Sequence, residues 1–265
     1  MTRPMNRYRI AAGLLSAALL GACDKNTVQQ LPFEPPQTAR VKFFNFGVNA
    51  PQVNFYADQT KMTAVQSGTG VEANTGVAYG GAGNGGAYLS IAPGSHTLTG
   101  RIAAATDKDL PIATVNATIA DGKLYSVYMS GFYNTTAKSS DAFLLDDALP
   151  ASNDYTVASV RFVNAIANSA HTLNLYAIST TGDTLTLIPL SAPVAYQSAG
   201  GFTTLPFGVY NLYARYTDST ANKITRTIVT LLPGQFYTIS AFGDITITST
   251  TATNRPQLDN TVNQR

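Results

Sequence analysis

The chain has 265 residues, of which 45% are apolar and only 12% carry a charge. This composition argues against intrinsic disorder and coiled coils, which need more charge or helical charge patterning, and it allows one large domain or two of ordinary size. The single Cys excludes a disulfide within the chain, and with only two His it offers little for a zinc site or a cysteine-based enzyme.

The first 22 residues are predicted to form a secretory signal peptide. Three arginines among the first nine residues precede an apolar run, Ile10 to Leu20. This run is too short to cross a bilayer as a helix, which needs about 20 residues. The sequence Leu20-Gly21-Ala22-Cys23 resembles the bacterial lipobox, which implies that Cys23 carries acyl chains and begins the mature protein. The alternative is an ordinary cleaved signal with a chance cysteine.

Residues 23–38 are predicted to comprise the lipidated Cys23 and a Pro-rich tether. The tether has no apolar periodicity, and its prolines favour an extended conformation that reaches up to about 50 Å. We expect attachment to a bacterial membrane, most simply the outer membrane, with the folded part facing the periplasm or the cell surface. Asp24 resembles the inner-membrane retention signal of enteric lipoproteins, a rule that does not hold in all bacteria, so the membrane stays open.

Loss of the signal peptide changes the charge balance of the chain. The full sequence has 17 basic and 15 acidic residues, and removal of the three N-terminal arginines leaves 14 basic residues against 15 acidic ones. The mature chain is therefore nearly neutral, and we expect no nucleic-acid partner.

Four sequence blocks occur twice in the same order. The pairs are Ala39–Asn45 with Ala158–Asn164, Val53–Ala57 with Leu173–Ala177, Ala92–Leu98 with Pro206–Leu212, and Gly122–Gly131 with Gly234–Gly243. Their nearly constant offset indicates a duplicated module whose loops differ in length. We therefore predict two domains, over residues 39–150 and 156–262.

Within the blocks the apolar residues alternate with a period of two. Val41 and Phe43, for example, alternate with Arg40 and Lys42. This pattern predicts strands with one face on a core and the other in solvent. Gly and Pro turn signals separate the strands, so we predict an all-β fold of two tandem antiparallel β-sandwiches of immunoglobulin-like type.

The blocks resemble a bacterial family, the domain of unknown function 4397. The resemblance rests on the opening Val-Arg-Phe-Val-Asn strand, the Asn-hydrophobic-Tyr strand, the Pro-Gly turn and the closing Gly-x-x-Tyr strand. The acidic end of the module fits at Phe143–Asp147 and only partly at Leu258–Asn260. The resemblance implies two tandem copies in a secreted or lipid-anchored envelope protein. It supplies no ligand and no catalytic residues.

Residues that could carry catalysis or bind a metal have simpler interpretations. The glycine-rich segment Gly80–Gly86 lacks the helix and lysine of a phosphate-binding loop, so we interpret it as a flexible connection. His96 and His171 occupy non-equivalent positions of the repeats and lack a nucleophile elbow. The acidic clusters, Asp141 with Asp146 and Asp147, and Asp107 with Asp109, lack calcium-loop spacing. We expect no enzyme activity, no metal and no cofactor.

Four tyrosines are candidates for a ligand-binding surface that stacks on sugars. They are Tyr79, Tyr88, Tyr128 and Tyr133. Core or cross-strand packing is the competing interpretation of these side chains. The sequence thus predicts a non-catalytic, lipid-anchored envelope protein that acts as a binding, adhesion or structural module. Its partners would be membrane lipid through Cys23 and an envelope or extracellular protein. The alternative is a glycan-binding lipoprotein that captures polysaccharide.

Overall fold

The computed structural model describes residues 39–63, 75–182 and 184–264, and these residues form strands joined by turns and one short 3₁₀ turn. The predicted signal peptide, Cys23 and the tether lie outside the described residues. Contacts group Gln37–Arg265 into one compact unit. The predicted all-β class with two sandwiches is confirmed, because four sheets rich in antiparallel pairs make up this unit.

The first half contains two sheets. Its strands are β1 (Arg40–Asn45), β2 (Val53–Ala57), β3 (Thr60–Lys61), β4 (Gly81–Ala82), β5 (Leu89–Ser90), β6 (Gly94–Ile102), β7 (Pro111–Ile119), β8 (Leu124–Asn134) and β9 (Ser139–Asp146). One sheet has the order β4-β1-β8-β9, with β5 also paired to β1; the other has the order β3-β2-β6-β7. We call them the first inner sheet and the first outer sheet.

The second half repeats this arrangement. Its strands are β10 (Val157–Asn164), β11 (Leu173–Ser179), β12 (Ile188–Pro189), β13 (Ser198–Ala199), β14 (Thr203–Pro206), β15 (Gly208–Tyr216), β16 (Asn222–Leu231), β17 (Phe236–Phe242) and β18 (Gln257–Asn263). The second inner sheet has the order β13-β10-β17-β18, with β14 also paired to β10, and the second outer sheet has the order β12-β11-β15-β16.

Each inner sheet contains one parallel pair, β1 with β8 and β10 with β17. The two pairs have the same register, since Val41 lies opposite Tyr125 and Val160 lies opposite Tyr237. The prediction of antiparallel sheets therefore holds for every pair except this one in each half. A parallel pair needs a long crossover connection, and here the outer sheet supplies it.

Each sandwich has its own apolar core between its inner and outer sheets. In the first half Val41, Phe43 and Val127 face Phe55 and Leu98, and the rings of Phe43 and Phe55 stack 5.0 Å apart. In the second half an equivalent cluster forms, with Val160, Phe162 and Ile239 facing Leu175 and Leu212. The alternation in the sequence predicts these inward positions correctly.

The repeated Gly-x-x-Tyr motif fixes a corner in each half. The hydroxyl of Tyr125 accepts a hydrogen bond from the backbone N–H of Ala120 at 3.1 Å, and that of Tyr237 accepts one from Leu232 at 2.9 Å. Gly122 and Gly234 both have φ of 71°, a left-handed conformation that glycine adopts without a steric penalty. The motif thus closes the turn into the parallel strand.

The repeated asparagines at the ends of β1 and β10 link the two sheets of each sandwich. Asn45 is fully buried and donates from Nδ2 to the carbonyl of Val77 at 2.9 Å. Asn164 is equally buried and donates to the carbonyl of Val194 at 3.1 Å. Buried side-chain amides are retained where each polar atom finds a partner, so these motif residues have a structural role.

The glycine-rich segment differs from its predicted role as a flexible connection. Gly81 and Ala82 form β4, which pairs with β1, and Gly83 begins the short 3₁₀ turn that follows. Gly83 is buried, and a Cβ at this position would lie 2.5 Å from Thr63 Cγ2. The segment therefore extends the edge of the first inner sheet, and glycine allows close approach to its neighbours.

The expectation that the second face of an alternating strand contacts solvent is wrong for β1, β10 and β17 of the inner sheets. Every residue of β17 is buried, as is all of β1 after Arg40 and all of β10 after Val157. The reason is that the outward faces of the two inner sheets pack on each other. Their contact buries Phe44, Tyr128 and Phe143 of the first half against residues of the second.

Within the described residues no helix is long and apolar enough to cross a membrane.

We expect Ile228→Asn to stabilise the protein. Ile228 lies in β16 at an irregularity, has φ of 56° and is 76% exposed. A β-branched residue in the left-handed region is strained, and asparagine tolerates this region, so the free energy of unfolding should rise by about 1 kcal/mol. Chemical denaturation measures this difference. Ile228→Thr is the control: it removes apolar surface but keeps the β-branch, and an equal gain from both variants would contradict strain as the cause.

Candidate functional site

Two of the four candidate tyrosines lie in the contact between the inner sheets. Tyr128 is fully buried and stacks between Phe44, 4.7 Å away, and Phe143, 4.9 Å away. Tyr79 packs edge-on against Phe242 of the second half at 5.7 Å. Burial raises the pKa of both phenols to about 12. The ring of Tyr128 is therefore part of the interface between the sandwiches and is closed to a ligand in this arrangement.

The other two candidates lie apart from each other. Tyr133 is half-buried against the core of the first sandwich. Tyr88 is also half-buried, and its hydroxyl donates to Oδ2 of Asp147 at 2.5 Å. The structure therefore does not gather the four tyrosines into one surface, and Tyr88 leads instead to a group of buried polar side chains.

This group, which we call the interface cluster, lies between the inner sheets beside the aromatic contact. Its members are Lys42, Tyr88, Ser126, Asp147, Arg161, Thr238 and Asn263. Lys42 and Ser126 are neighbours in β1 and β8, and Arg161 and Thr238 are neighbours in β10 and β17. Their positions follow from alternation: if Val41 and Phe43 face the core, Lys42 must point the other way.

Asp147 is the centre of the hydrogen bonds in the interface cluster. It is fully buried, and its Oδ2 accepts from Ser126 Oγ at 2.6 Å as well as from Tyr88. Its Oδ1 forms an ion pair with Arg161 across the interface. Arg161 also donates from Nε to Thr238 Oγ1 at 2.9 Å. The carboxylate is therefore well compensated, as a buried charge requires.

A second contact across the interface mirrors the first. Lys42 donates from Nζ to Oδ1 of Asn263, whose Nδ2 donates to Thr238 Oγ1 at 2.7 Å. The strand registers explain the symmetry, since Asp147 follows β9 at the position where Asn263 ends β18. In each contact, a cation of one half (Lys42 or Arg161) meets a polar residue at the end of the other half's inner sheet (Asn263 or Asp147). This reciprocal arrangement is the pattern of an isologous interface.

This register corrects the sequence alignment of the two modules. The sequence pairs the acidic end Phe143–Asp147 with Leu258–Asn260. In the structure, however, Tyr128 lies opposite Phe143 and the equivalent Ser240 lies opposite Asp259. The true counterpart of Asp147 is therefore Asn263, three residues further on. Only the pairing of strands reveals this, because the partial match at Leu258–Asn260 points to a different register.

Burial controls the electrostatics of the cluster. Burial lowers the pKa of Lys42 to about 8, and the opposing attraction of Asp147 only partly offsets this effect. Burial and the negative charge of Asp147 both raise the pKa of Tyr88 well above its usual range. Lys42 also lies over the rings of Tyr88 and Phe44, with Nζ 4.5 Å and 5.8 Å from their centroids. The amine thus contacts two aromatic rings and a neutral amide.

A groove of about 650 Å³ opens beside the cluster. The glycine-rich segment at Gly85–Ala87 and Tyr88 form one side, and Asp259 and Thr261 of β18 form the other, with Arg40 also in its wall. The groove therefore lies between the two halves, and its small polar side chains come from the second half.

The histidines occupy separate positions, with His96 half-buried and His171 exposed. His96 Nδ1 contacts Asp58 Oδ2 at 2.8 Å, but its Nε2 contacts the backbone carbonyl of Ala92, also at 2.8 Å. A catalytic histidine presents that second nitrogen to a nucleophile, and here a carbonyl occupies it. His171 packs on Tyr216 and lies 3.5 Å from Asp218.

The acidic residues considered for calcium have protein partners. Asp141 accepts from Tyr196 at 2.8 Å, Asp146 pairs with Lys123 at 3.0 Å, and Asp107 pairs with Lys138 at 2.5 Å. Asp109 accepts from Tyr56 at 3.3 Å. Among the residues that the structure describes, no group of three potential metal ligands is present.

The outer sheets carry a repeated pair that the sequence analysis missed. Arg101 lies over the ring of Tyr56 at 4.3 Å in the first half, and Arg215 lies over Tyr176 at 5.2 Å in the second. Tyr176 also lies opposite Tyr213 in the adjacent strand. The sequence repeat could have revealed these pairs. Tyr56 and Tyr176 occupy the same position in the second pair of repeated blocks, and Arg101 and Arg215 follow the third pair of blocks at the same distance.

We expect Asp147→Asn to lower the free energy of unfolding by about 3 to 5 kcal/mol, because it leaves the buried guanidinium of Arg161 without a counter-charge. The double variant Asp147→Asn with Arg161→Met should lose less free energy of unfolding than the sum of the two single variants. Denaturation with guanidinium chloride measures these differences. Asp146→Asn is the matched control: its pair with Lys123 is exposed, so the change should stay within about 0.5 kcal/mol. Equal losses from the two aspartates would contradict the role of the cluster.

Comparison with solved structures gives weak likenesses. The Bacillus anthracis TIE protein is 11% identical with a TM-score of 0.24, over 77% of this chain and 33% of that one, so this chain spans about a third of its length. Two proposed cell adhesion proteins also match. The one from Bacteroides ovatus is 11% identical with a TM-score of 0.26, over 87% of this chain and 97% of that one. The one from Bacteroides fragilis is 8% identical with a TM-score of 0.27, over 86% of this chain and 97% of that one. Such TM-scores support no conclusion about fold or function.

No curated protein matches the chain. One family model does, that of the domain of unknown function DUF4397, over residues 39–176. The match includes all strands of the first half and extends through β10 into β11 of the second. Because it covers more than half of the sequence, the chain belongs to the DUF4397 family.

Proposed function

We propose that this protein is a non-catalytic, lipid-anchored module of the bacterial cell envelope that binds or adheres to a protein partner. The observation that carries the proposal is the fusion of two sandwiches through buried faces of their inner sheets. The outer sheets remain turned to solvent at opposite sides of this contact. A partner held by either outer sheet would be connected through packed strands to β1, which follows the tether.

We further propose that the second half is another copy of the same family module. Its sheet order, parallel pair, tyrosine corner and buried asparagine all correspond to those of the first half. Duplication gives the envelope protein two outer faces of similar construction, with Arg–Tyr pairs at corresponding positions. Arginine and tyrosine are enriched at protein interfaces, which supports a protein partner.

Anchoring is tested by Cys23→Ser in the full-length protein. Two or more acyl chains hold a protein firmly on a membrane, since each buried methylene contributes about 0.8 kcal/mol. We expect the wild type in the membrane fraction and the variant in the soluble fraction, with attachment of cells to partner surfaces lost in parallel. Thr27→Ser, a change in the adjacent tether, is the control and should leave both readouts unchanged. Retention of the Cys23→Ser protein on membranes would remove the anchor.

A glycan-binding role is the second candidate, and the cross-strand pair Tyr176 and Tyr213 favours it. The two side chains alternate with inward-facing residues, so both lie on the solvent side of the second outer sheet. Asn174 and Arg215 are the next pair along the same strands and supply polar groups for sugar hydroxyls. Aromatic faces beside amide and guanidinium donors are suited to pyranose rings.

Solid-phase binding to a panel of neutral polysaccharides distinguishes this candidate from protein binding. If the pair forms the site, Tyr176→Ala or Tyr213→Ala should weaken binding about tenfold, the loss of one aromatic contact. Tyr56→Ala is the matched control, because its neighbour in the first outer sheet is Thr99 in place of a second tyrosine. No binding to any polysaccharide, or equal losses in all three variants, would exclude this site.

A further inference from the structure

A buried amine and a buried carboxamide meet between the two halves of the protein. Lys42 and Asn263 are 0% and 2% exposed, and Nζ of the lysine contacts Oδ1 of the asparagine. The two residues are 221 positions apart in the chain. Lys42 lies in β1, directly after the predicted tether, and Asn263 is the last residue of β18. Their contact therefore joins the first strand of one sandwich to the last strand of the other.

The charges in the interface cluster do not balance while Lys42 is an ammonium ion. Asp147 forms its ion pair with Arg161, whereas the hydrogen-bond acceptor of Lys42 is the neutral amide of Asn263. Inside the cluster two cations thus share the carboxylate of Asp147, and Asp259 of β18 adds only a weaker attraction on Lys42. A buried charge without its own counter-ion is costly, and the group relieves this cost by losing its charge.

We propose that Lys42 and Asn263 react to form an isopeptide bond between the two halves. Nζ of Lys42 attacks Cγ of Asn263, a C–N bond forms, and the bond from Cγ to Nδ2 breaks. Two protons of the lysine ammonium pass to the leaving nitrogen, so the new amide keeps one N–H, one ammonium ion departs and the cluster loses one positive charge. The exchange of one amide for another needs no oxidant, reductant or further reactant.

The surroundings of the pair are suited to this reaction. The hydrogen bond from Nδ2 to Thr238 Oγ1 holds the carboxamide in place, and the rings of Tyr88 and Phe44 keep water from the amine. The lowered pKa of Lys42, about 8, leaves part of the amine neutral and nucleophilic near neutral pH. Asp147 is the carboxylate of the same cluster, and we assign it as the group that holds the proton between the two nitrogens.

The symmetry-related contact explains why only one bond forms. Arg161 corresponds to Lys42 and Asp147 corresponds to Asn263, and in this contact the guanidinium and the carboxylate form an ion pair. A guanidinium is always protonated and is not a nucleophile in proteins. The duplicated interface therefore carries an ionic contact at one position and an amine with a reactive carboxamide at the other.

Mass spectrometry of the purified full-length protein tests the bond. Loss of one ammonia lowers the intact mass by about 17 Da, and proteolysis yields a joined peptide that contains Lys42 and Asn263. Lys42→Arg keeps a positive charge but cannot react, so it should show no loss. Lys123→Arg, at an exposed ion pair, is the matched control and should lose ammonia as the wild type does. A wild-type mass without the loss overturns the proposal.

A second measurement does not depend on the folding of the Lys42 variant. A protease site placed in the exposed link at residues 151–154 separates the halves after cleavage. On a denaturing gel the wild-type halves should stay joined and those of Lys42→Arg should separate. Separation of the wild-type halves overturns the proposal.

The dependence of the reaction on pH tests the assignment of Lys42 as the nucleophile. The charged groups that act on the amine are Asp147, Arg161 and Asp259. In newly synthesised chains the rate of bond formation should rise with pH up to about 8, where the amine becomes neutral, and then level off. A rate independent of pH overturns this assignment. These measurements use purified protein, so they succeed or fail independently of anchoring and partner binding.

Discussion

The packing of the two inner sheets on each other is the constraint on which the rest of the structure depends. A sandwich strand normally has one face for its core and one for water. In β1, β10 and β17 the second face meets another sheet, so positions that would be exposed become a second core. Phe46 and Phe242, stacked at 4.3 Å, belong to this additional core. Their burial makes one body of two sandwiches.

The same constraint explains why polar residues lie in the interior. Alternation places Lys42 and Arg161 on the faces that meet, and no solvent remains to hydrate them. The hydrogen bonds of Asp147, Thr238 and Asn263 replace that water and fix the register of one half on the other. Buried polar contacts of this kind contribute specificity to an interface as well as stability. The reactive contact at Lys42 arises from this arrangement.

The division between buried inner sheets and exposed outer sheets also organises the proposed function. Tyrosines of the inner sheets, such as Tyr128, serve packing, and those of the outer sheets, such as Tyr176 and Tyr213, remain half-exposed for a partner. Sequence alone gave no basis for this distinction, since all of these residues lie in similar alternating strands. Candidate ligand contacts therefore move from the interface to the outer faces.

The sequence by itself determined the strands, the inward positions of both cores and the duplication of the module, because alternation and turn residues are local and the repeat is visible by inspection. Its corner tyrosines and buried asparagines also fall where the motifs recur. The tertiary structure alone decided that β1 pairs in parallel with β8 and that Asp147 corresponds to Asn263. It also decided that the outward faces of the inner sheets are buried. These features depend on contacts between residues distant in the chain, such as Lys42 and Asn263, and an alternating pattern is the same whether its second face meets water or another sheet.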